Sequence, residues 1–340
     1  IRDSACGQAR LSPSCRVDFL NLLNMRHHAG LILLNLLNIR HGEWPRFLLA
    51  FTYFFFLLAG YFMLRPIRGA ISANHAESLH LLYTATFICM LLIVPLFGWL
   101  VSKFRRGRFV PGIYLFFISN LVFFALAFDG DGTGDWVQYS FYVWVSVFNL
   151  FVVSIFWSFM ADIFHPDQAQ RLFSSIMAGG SLGAIAGPLV TANWIGQIGT
   201  QGVMFAAITC LLLATTFAII LGHFERHQHH DKPAKIIGGG IWEGAVKVFR
   251  SKYLLLICLL MLSHNLTSTF LFNGLAVLVD QNIIGFDERT QFFSYVDLVV
   301  QILAFLFQFF ITSRLIIFLG MPRTAILPPV LLAAGFTPVS

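Results

Sequence analysis

From Phe47 to Leu64 the chain runs without one charged side chain, and stretches of this kind return along its whole length. A helix needs about 20 apolar residues to cross the roughly 30 Å of hydrocarbon in a bilayer. No water is at hand there to bond a bare amide, so an apolar run of this length must close its hydrogen bonds within itself, as helix. Alternating stretches of the kind that build a membrane barrel are absent. Composition agrees: only 11% of residues are charged and 57% are apolar, against about 25% charged in water-soluble domains. The expected fold class is all-α, a helical bundle that crosses a membrane many times.

The runs place eight spans, at 46–64, 79–101, 109–128, 137–161, 172–194, 202–222, 253–279 and 292–319, and a ninth begins near Thr324. Ahead of them, residues 1–43 form a tail in which Leu20–His27 recurs as Leu34–His41, read as a local duplication. A polar segment, 223–252, separates six spans (44–222) from the rest (253–340). Within it Ile241, Ala245 and Val248 share one helical face and Glu243 and Lys247 the other, which predicts a short interfacial helix. Residue 1 is not Met and the chain stops inside an apolar run. The expectation is therefore an incomplete bundle, with about eight or nine spans of the twelve in a carrier built from two six-helix halves.

Short basic loops set the expected orientation. Lys103, Arg105, Arg106 and Arg108 follow the second span, Arg171 the fourth, and Arg226, Lys232, Lys235, Lys247, Arg250 and Lys252 the sixth. The alternate loops carry Asp129, Asp131, Asp135, Asp280, Asp287 and Glu288. By the positive-inside rule the N-terminus is cytoplasmic. The net charge of +6 is thereby assigned to topology, with membrane lipids as partner and no nucleic acid. One loop breaks the rule: Leu64-Arg65-Pro66-Ile67-Arg68-Gly69-Ala70 puts two arginines on the side where the other loops are acidic. Their spacing gives them one helix face. If the first span continues past Pro66, both can turn inward and offer forks to phosphate or carboxylate. If it ends at Leu64, they extend to the headgroups.

Gly98-Trp99-Leu100-Val101-Ser102-Lys103-Phe104-Arg105-Arg106-Gly107-Arg108 resembles the loop 2–3 signature of the major facilitator superfamily, with Ser102 where that family usually has Asp. Ser313-Arg314, with Gly320 and Arg323 beyond, echoes it after the eighth span. The run Gly179-Gly180-Ser181-Leu182-Gly183-Ala184-Ile185-Ala186-Gly187-Pro188 is similar to the superfamily's GxxxGP element, associated with antiporters, without its following Gly pair. Gly179, Gly183, Gly187 and Pro188 are read either as a helix-packing strip or as that element. LRPIRGA, Trp157-Ser158-Phe159-Met160-Ala161-Asp162 and the glycine run, all within 43–222, further resemble bacterial relatives of the ATP/ADP carrier proteins, in which Asp is common at the position of Gly69. The resemblance implies a secondary transporter working by alternating access in a bacterial inner (plasma) membrane. It implies antiport of nucleotides or other phosphorylated solutes, a small anionic partner in either case.

Substrate contacts are assigned to Arg65 and Arg68, to Asn149 and Trp157 in the fourth span, and to His264 and Asn265 in the seventh, whose mid-depth polarity suggests a broken, cavity-lining helix. Asp297, an acid about a turn and a half inside the eighth span, is the candidate for proton or ion coupling. Lys103, Arg105, Arg106, Arg108, Asp162 and Arg171 are gate candidates. Two alternatives stay open: a proton-coupled carrier of another small solute, and a transport-inactive membrane fragment. No P-loop, nucleophile elbow or HExxH pair occurs, so no enzyme activity or cofactor is expected. Asp129–Asp135 begins like a calcium loop but has Ser140 where Glu is required, and no metal site is assigned. The five cysteines, Cys6, Cys15, Cys89, Cys210 and Cys258, show no pairing pattern.

Overall fold

The computed structural model describes residues 42–103, 106–129, 132–226 and 243–311, with 314, 318 and 320. The tail duplication, Arg105 and the ninth span lie outside these residues, as do His227, His229 and His230, which the sequence suggests either as metal ligands or, the usual case, as part of a solvated linker. The long elements are α1 (Trp44–Asn74), α2 (Leu79–Lys103), α3 (Arg106–Ala127), α4 (Asp135–Ile163), α5 (Pro166–Arg226), α6 (Glu243–Arg250), α7 (Lys252–Asn282) and α8 (Phe286–Leu306). A 3-10 turn, Ala76–Ser78, precedes α2, and a π turn, Phe307–Ile311, follows α8. The described regular structure is helical throughout, as the need to satisfy backbone groups in lipid demands.

Seven of these helices are long and apolar enough to cross a membrane. The longest, α5, has 61 residues and as one straight rod would reach about 90 Å. It reverses on Gly199, whose φ of 65° and ψ of 175° form a conformation open essentially to glycine alone. Both limbs, 166–198 and 200–226, come back to the same level of α1, where Gly187 meets Ala59 and Ala207 meets Gly60. So α5 supplies the fifth and sixth crossings. Gly199→Ala should cost about 1–3 kcal/mol, read as a lower unfolding temperature in detergent. Gly196→Ala, three residues away with open space around its Cβ, should not lower it.

The hub of the bundle is α1. Phe47, Ala50, Tyr53, Leu57, Leu64, Ile67 and Ile71 are buried along it, and they join side chains of α3, α4 and α5 in one core. Phe54 stacks on Phe156 of α4, with ring centroids 4.0 Å apart, and Phe56 on Phe217 of α5. The Tyr53 and Tyr114 hydroxyls satisfy each other inside this apolar core. The glycine strip packs α5 on α1 in matching steps of one turn. A Cβ on Gly179 would lie 2.7 Å from the Phe51 carbonyl oxygen and one on Gly187 2.6 Å from that of Ala59, while Gly183 faces the Phe55 carbonyl between them. Apolar side chains of α2 and α7, among them Phe87, Leu91, Leu256 and Leu259, are exposed, as suits helices against lipid.

Two expected boundaries and one expected helix break are corrected. The first span does not stop at Leu64; α1 passes through Pro66 to Asn74. The eighth begins at Phe286 rather than 292, because Asp287 and Glu288 belong to the first turn of α8, where acids complement the helix dipole. Asp297 therefore lies about three turns inside. The seventh is one unbroken helix, because its polar side chains are absorbed locally: Asn265, Thr267 and Thr269 each bond a carbonyl of their own helix one turn back.

Candidate functional site

Continuation of α1 beyond Pro66 decides the placement of both arginines. They lie inside the helix, nine and six residues short of its end at Asn74. The Arg65 Nη1 atom is 3.5 Å from Asp297 Oδ1 of α8. Arg68 turns to α4, where its Nη2 donates to the Tyr142 hydroxyl at 2.9 Å and its guanidinium carbon stands 4.2 Å from that ring's centroid. The buried Nε–H of Arg68 has no acceptor among the described residues. Among the described residues no carboxylate reaches Arg68, so two guanidiniums share one acid, Asp297. A cation set on a ring face in a low-dielectric environment gains from the ring quadrupole, but keeps its net charge. The site is left with an excess positive charge.

Around this pair of arginines the helices contribute further polar groups. Tyr83 of α2 donates to Asn273 of α7 at 2.7 Å. Its ring centroid is 6.5 Å from that of Tyr142. Asn149 lies two turns along α4 on the face that carries Tyr142 and is half-buried. Trp157 is built into packing instead, with Phe54, Phe156 and Phe173 around it. His264 and Asn265 are exposed on α7, and the Asn265 amide is spent on the Met261 carbonyl. The arrangement thus gathers Arg65, Arg68 and Asp297 and adds Tyr142, Tyr83 and Asn273. It does not bring Trp157, His264 or Asn265 into contact with the arginines.

Gly69 has a reason of its own. A Cβ there would lie 2.7 Å from the ring of Phe293, which stands one turn before Asp297 on α8. No aspartate fits beneath that ring, so the small residue on α1 is matched by an aromatic on the facing helix. Phe293, Val279 and Ala73 form a small apolar cluster between the arginines and the α1 terminus. Beyond it lies a polar layer. Arg289 donates to the Ile283 carbonyl at 2.7 Å and to Asn74 at 3.2 Å, and its Nη2 is 2.9 Å from Asp280 Oδ1. Asp287 accepts from the Thr200 hydroxyl and amide, and Gln291 donates to the Ala192 carbonyl. This end of the bundle is closed by ties between α8 and helices α1 and α5.

At the opposite end, the gate candidate Arg171 bridges Glu43 at 3.2 Å, a contact from the start of α5 to the start of α1. Asp162 sits exposed near the end of α4. Lys103 ends α2, and Arg106 and Arg108 open α3. Arg289 belongs to the polar layer and Tyr142 to the arginine site without standing out in the sequence. Arg289 fell in a stretch read as loop, and Tyr142 stood in a Phe-rich span where only its shared face with Asn149 marked it.

Helices long and apolar enough to cross a membrane thus pack around the Arg65–Asp297 pair and an arginine seated on a tyrosine. A family model described as Major Facilitator Superfamily matches residues 47–340. The chain belongs to that superfamily and is a multi-pass membrane protein. Comparison with curated proteins and with solved structures returned no match.

Proposed function

We propose that the chain carries a small anionic solute by alternating access, with its N-terminus cytoplasmic and Arg68 and Arg65 as anion contacts. The supporting observation is Arg68, an arginine inside a membrane helix with a tyrosine beneath it and, among the described residues, no acid in reach. Such a cation is costly without an oxyanion, and a substrate that supplies one makes good the missing partner. Phosphorylated solutes, nucleotides included, moved by exchange, are the class to which the carrier resemblance of residues 43–222 points. A second reading, proton-coupled carriage of another solute, draws on the depth of Asp297 in α8.

The test is exchange of labelled ATP and labelled inorganic phosphate by the purified carrier in liposomes. Arg68→Gln should lower exchange roughly 10- to 100-fold, the loss of one charge-assisted contact of about 1.5–3 kcal/mol. No movement of either anion, together with thermal stabilisation by an uncharged solute, would sink the reading.

A further inference from the structure

The two arginines of α1 are not equivalent. Arg68 is held by Tyr142, whereas Arg65 reaches across to Asp297. That ion pair joins parts which an alternating-access carrier has to move past one another: α1, packed on both limbs of α5, and α8, whose residues beyond Asp297 are largely exposed. Arg65 is the reachable partner, its side chain 40% exposed against 13% for Asp297. An anion arriving at the site meets a guanidinium whose present acceptor is already an oxyanion, tethered to the protein.

We infer that Asp297 is a tethered stand-in for the transported anion, compensating Arg65 in the empty site and so letting the empty carrier return across the membrane. The inference rests on the anion reading above and adds net transport to exchange. Passage through a closed intermediate takes the site out of water. With Asp297 in place, one guanidinium of two travels uncompensated, and that one is seated on Tyr142. Without Asp297, two guanidiniums three residues apart on one helix would be withdrawn together, the costly case of like charges left unpaired in low dielectric. When an anion is bound it takes over Arg65, and the loaded carrier crosses on the substrate's own charge. Asp297 matters most for the empty return.

The experiment compares two rates for each variant of the intact carrier in liposomes, with labelled inorganic phosphate and labelled ATP as probes. Exchange is measured into vesicles holding the unlabelled anion, and net uptake into vesicles without it. The readout is the ratio of net uptake to exchange, which cancels differences in folding and insertion yield. Asp297→Asn should lower that ratio about tenfold, and Asp297→Glu should restore most of it. The double variant Arg65→Gln/Asp297→Asn, with one guanidinium and no acid, should move the ratio back toward wild type, because coupled neighbours are non-additive. An unchanged ratio in Asp297→Asn, or a double variant as low as the single, overturns the inference. So does wild-type net uptake that runs only under an imposed pH gradient, which would make Asp297 a proton carrier. If the wild type moves neither probe in either assay, the anion reading itself has failed, and it fails before any substitution is compared.

Discussion

Gly183→Leu is expected to yield no monodisperse protein after extraction from the membrane, and Gly183→Ala to unfold at a clearly lower temperature than wild type. The reason is what stands opposite. A Cβ at Gly183 would run into the Phe55 carbonyl, with the Ala59 amide beside it, and both belong to the backbone of α1. A side chain could swing away; the central helix of the bundle cannot. Overpacking a core costs about 1–3 kcal/mol even where side chains can yield. Here α5 would have to lift off α1, opening the contacts of Gly179 and Gly187 in the same strip. In lipid that loss is not recovered by burial elsewhere, since helix association there depends on close packing more than on the hydrophobic effect. Gly274→Ala on α7, where nothing lies within 4 Å of the added atom, is the control and should keep wild-type yield. A Gly183→Leu protein with normal yield and melting would show that the strip does not hold the two helices together.

The same strip shows what the sequence could and could not reveal. Its period marked Gly179, Gly183 and Gly187 as one smooth face, but a face does not name its partner. That the partner is α1 became visible only in the folded chain. Crossing number and helical class were legible because a single strong term, the cost of bare amides in hydrocarbon, governs both. Ends of spans were less so. Arg65, Pro66 and Arg68 look like the close of an apolar run, and nothing local shows that Tyr142 and Asp297 on other helices make those charges tolerable inside one. The same limit hid Arg289: beside Asp287 and Glu288 it reads as loop, whereas the acids open a helix and the arginine points into the bundle. Polarity misled in the other direction on α7. Asn265, Thr267 and Thr269 suggested an unwound cavity wall, yet each turns back to its own helix. For the arginines the missing information was a partner distant in sequence; on α7 it was a local bond, one turn back, that a pattern of polar residues does not announce.

Replacing Arg289 with Met should open the end of the bundle that is closed in this structure. Arg289 is 8% exposed at the side chain and ties three segments: the end of α7 through Asp280 and the Ile283 carbonyl, α8 on which it sits, and α1 through Asn74. The Asn74 amide also donates to Gln138 Oε1 on α4, and Gln138 donates in turn to the Thr133 carbonyl. Arg289 can only donate, so it fixes which way both amides face. Methionine keeps the apolar stem and the volume but leaves the Asn74 oxygen and the Ile283 carbonyl without a donor. Asp280 is 41% exposed and recovers water, so its share of the loss is small. The remaining hydrogen bonds to a charged group are worth about 2 kcal/mol, a shift of roughly thirtyfold in a two-state equilibrium. The measurement is the labelling rate of a cysteine placed at Ala73, buried under Phe293 next to this layer, in a background without other cysteines, using a maleimide that cannot cross the membrane. Arg289→Met should raise that rate at least about tenfold, and Arg289→Lys, which keeps a donor to Asn74, should raise it less. Equal rates in all three proteins would mean that closure rests on the Asp287–Thr200 tie and on Phe293 against Gly69, with Arg289 a passenger of the α7–α8 turn.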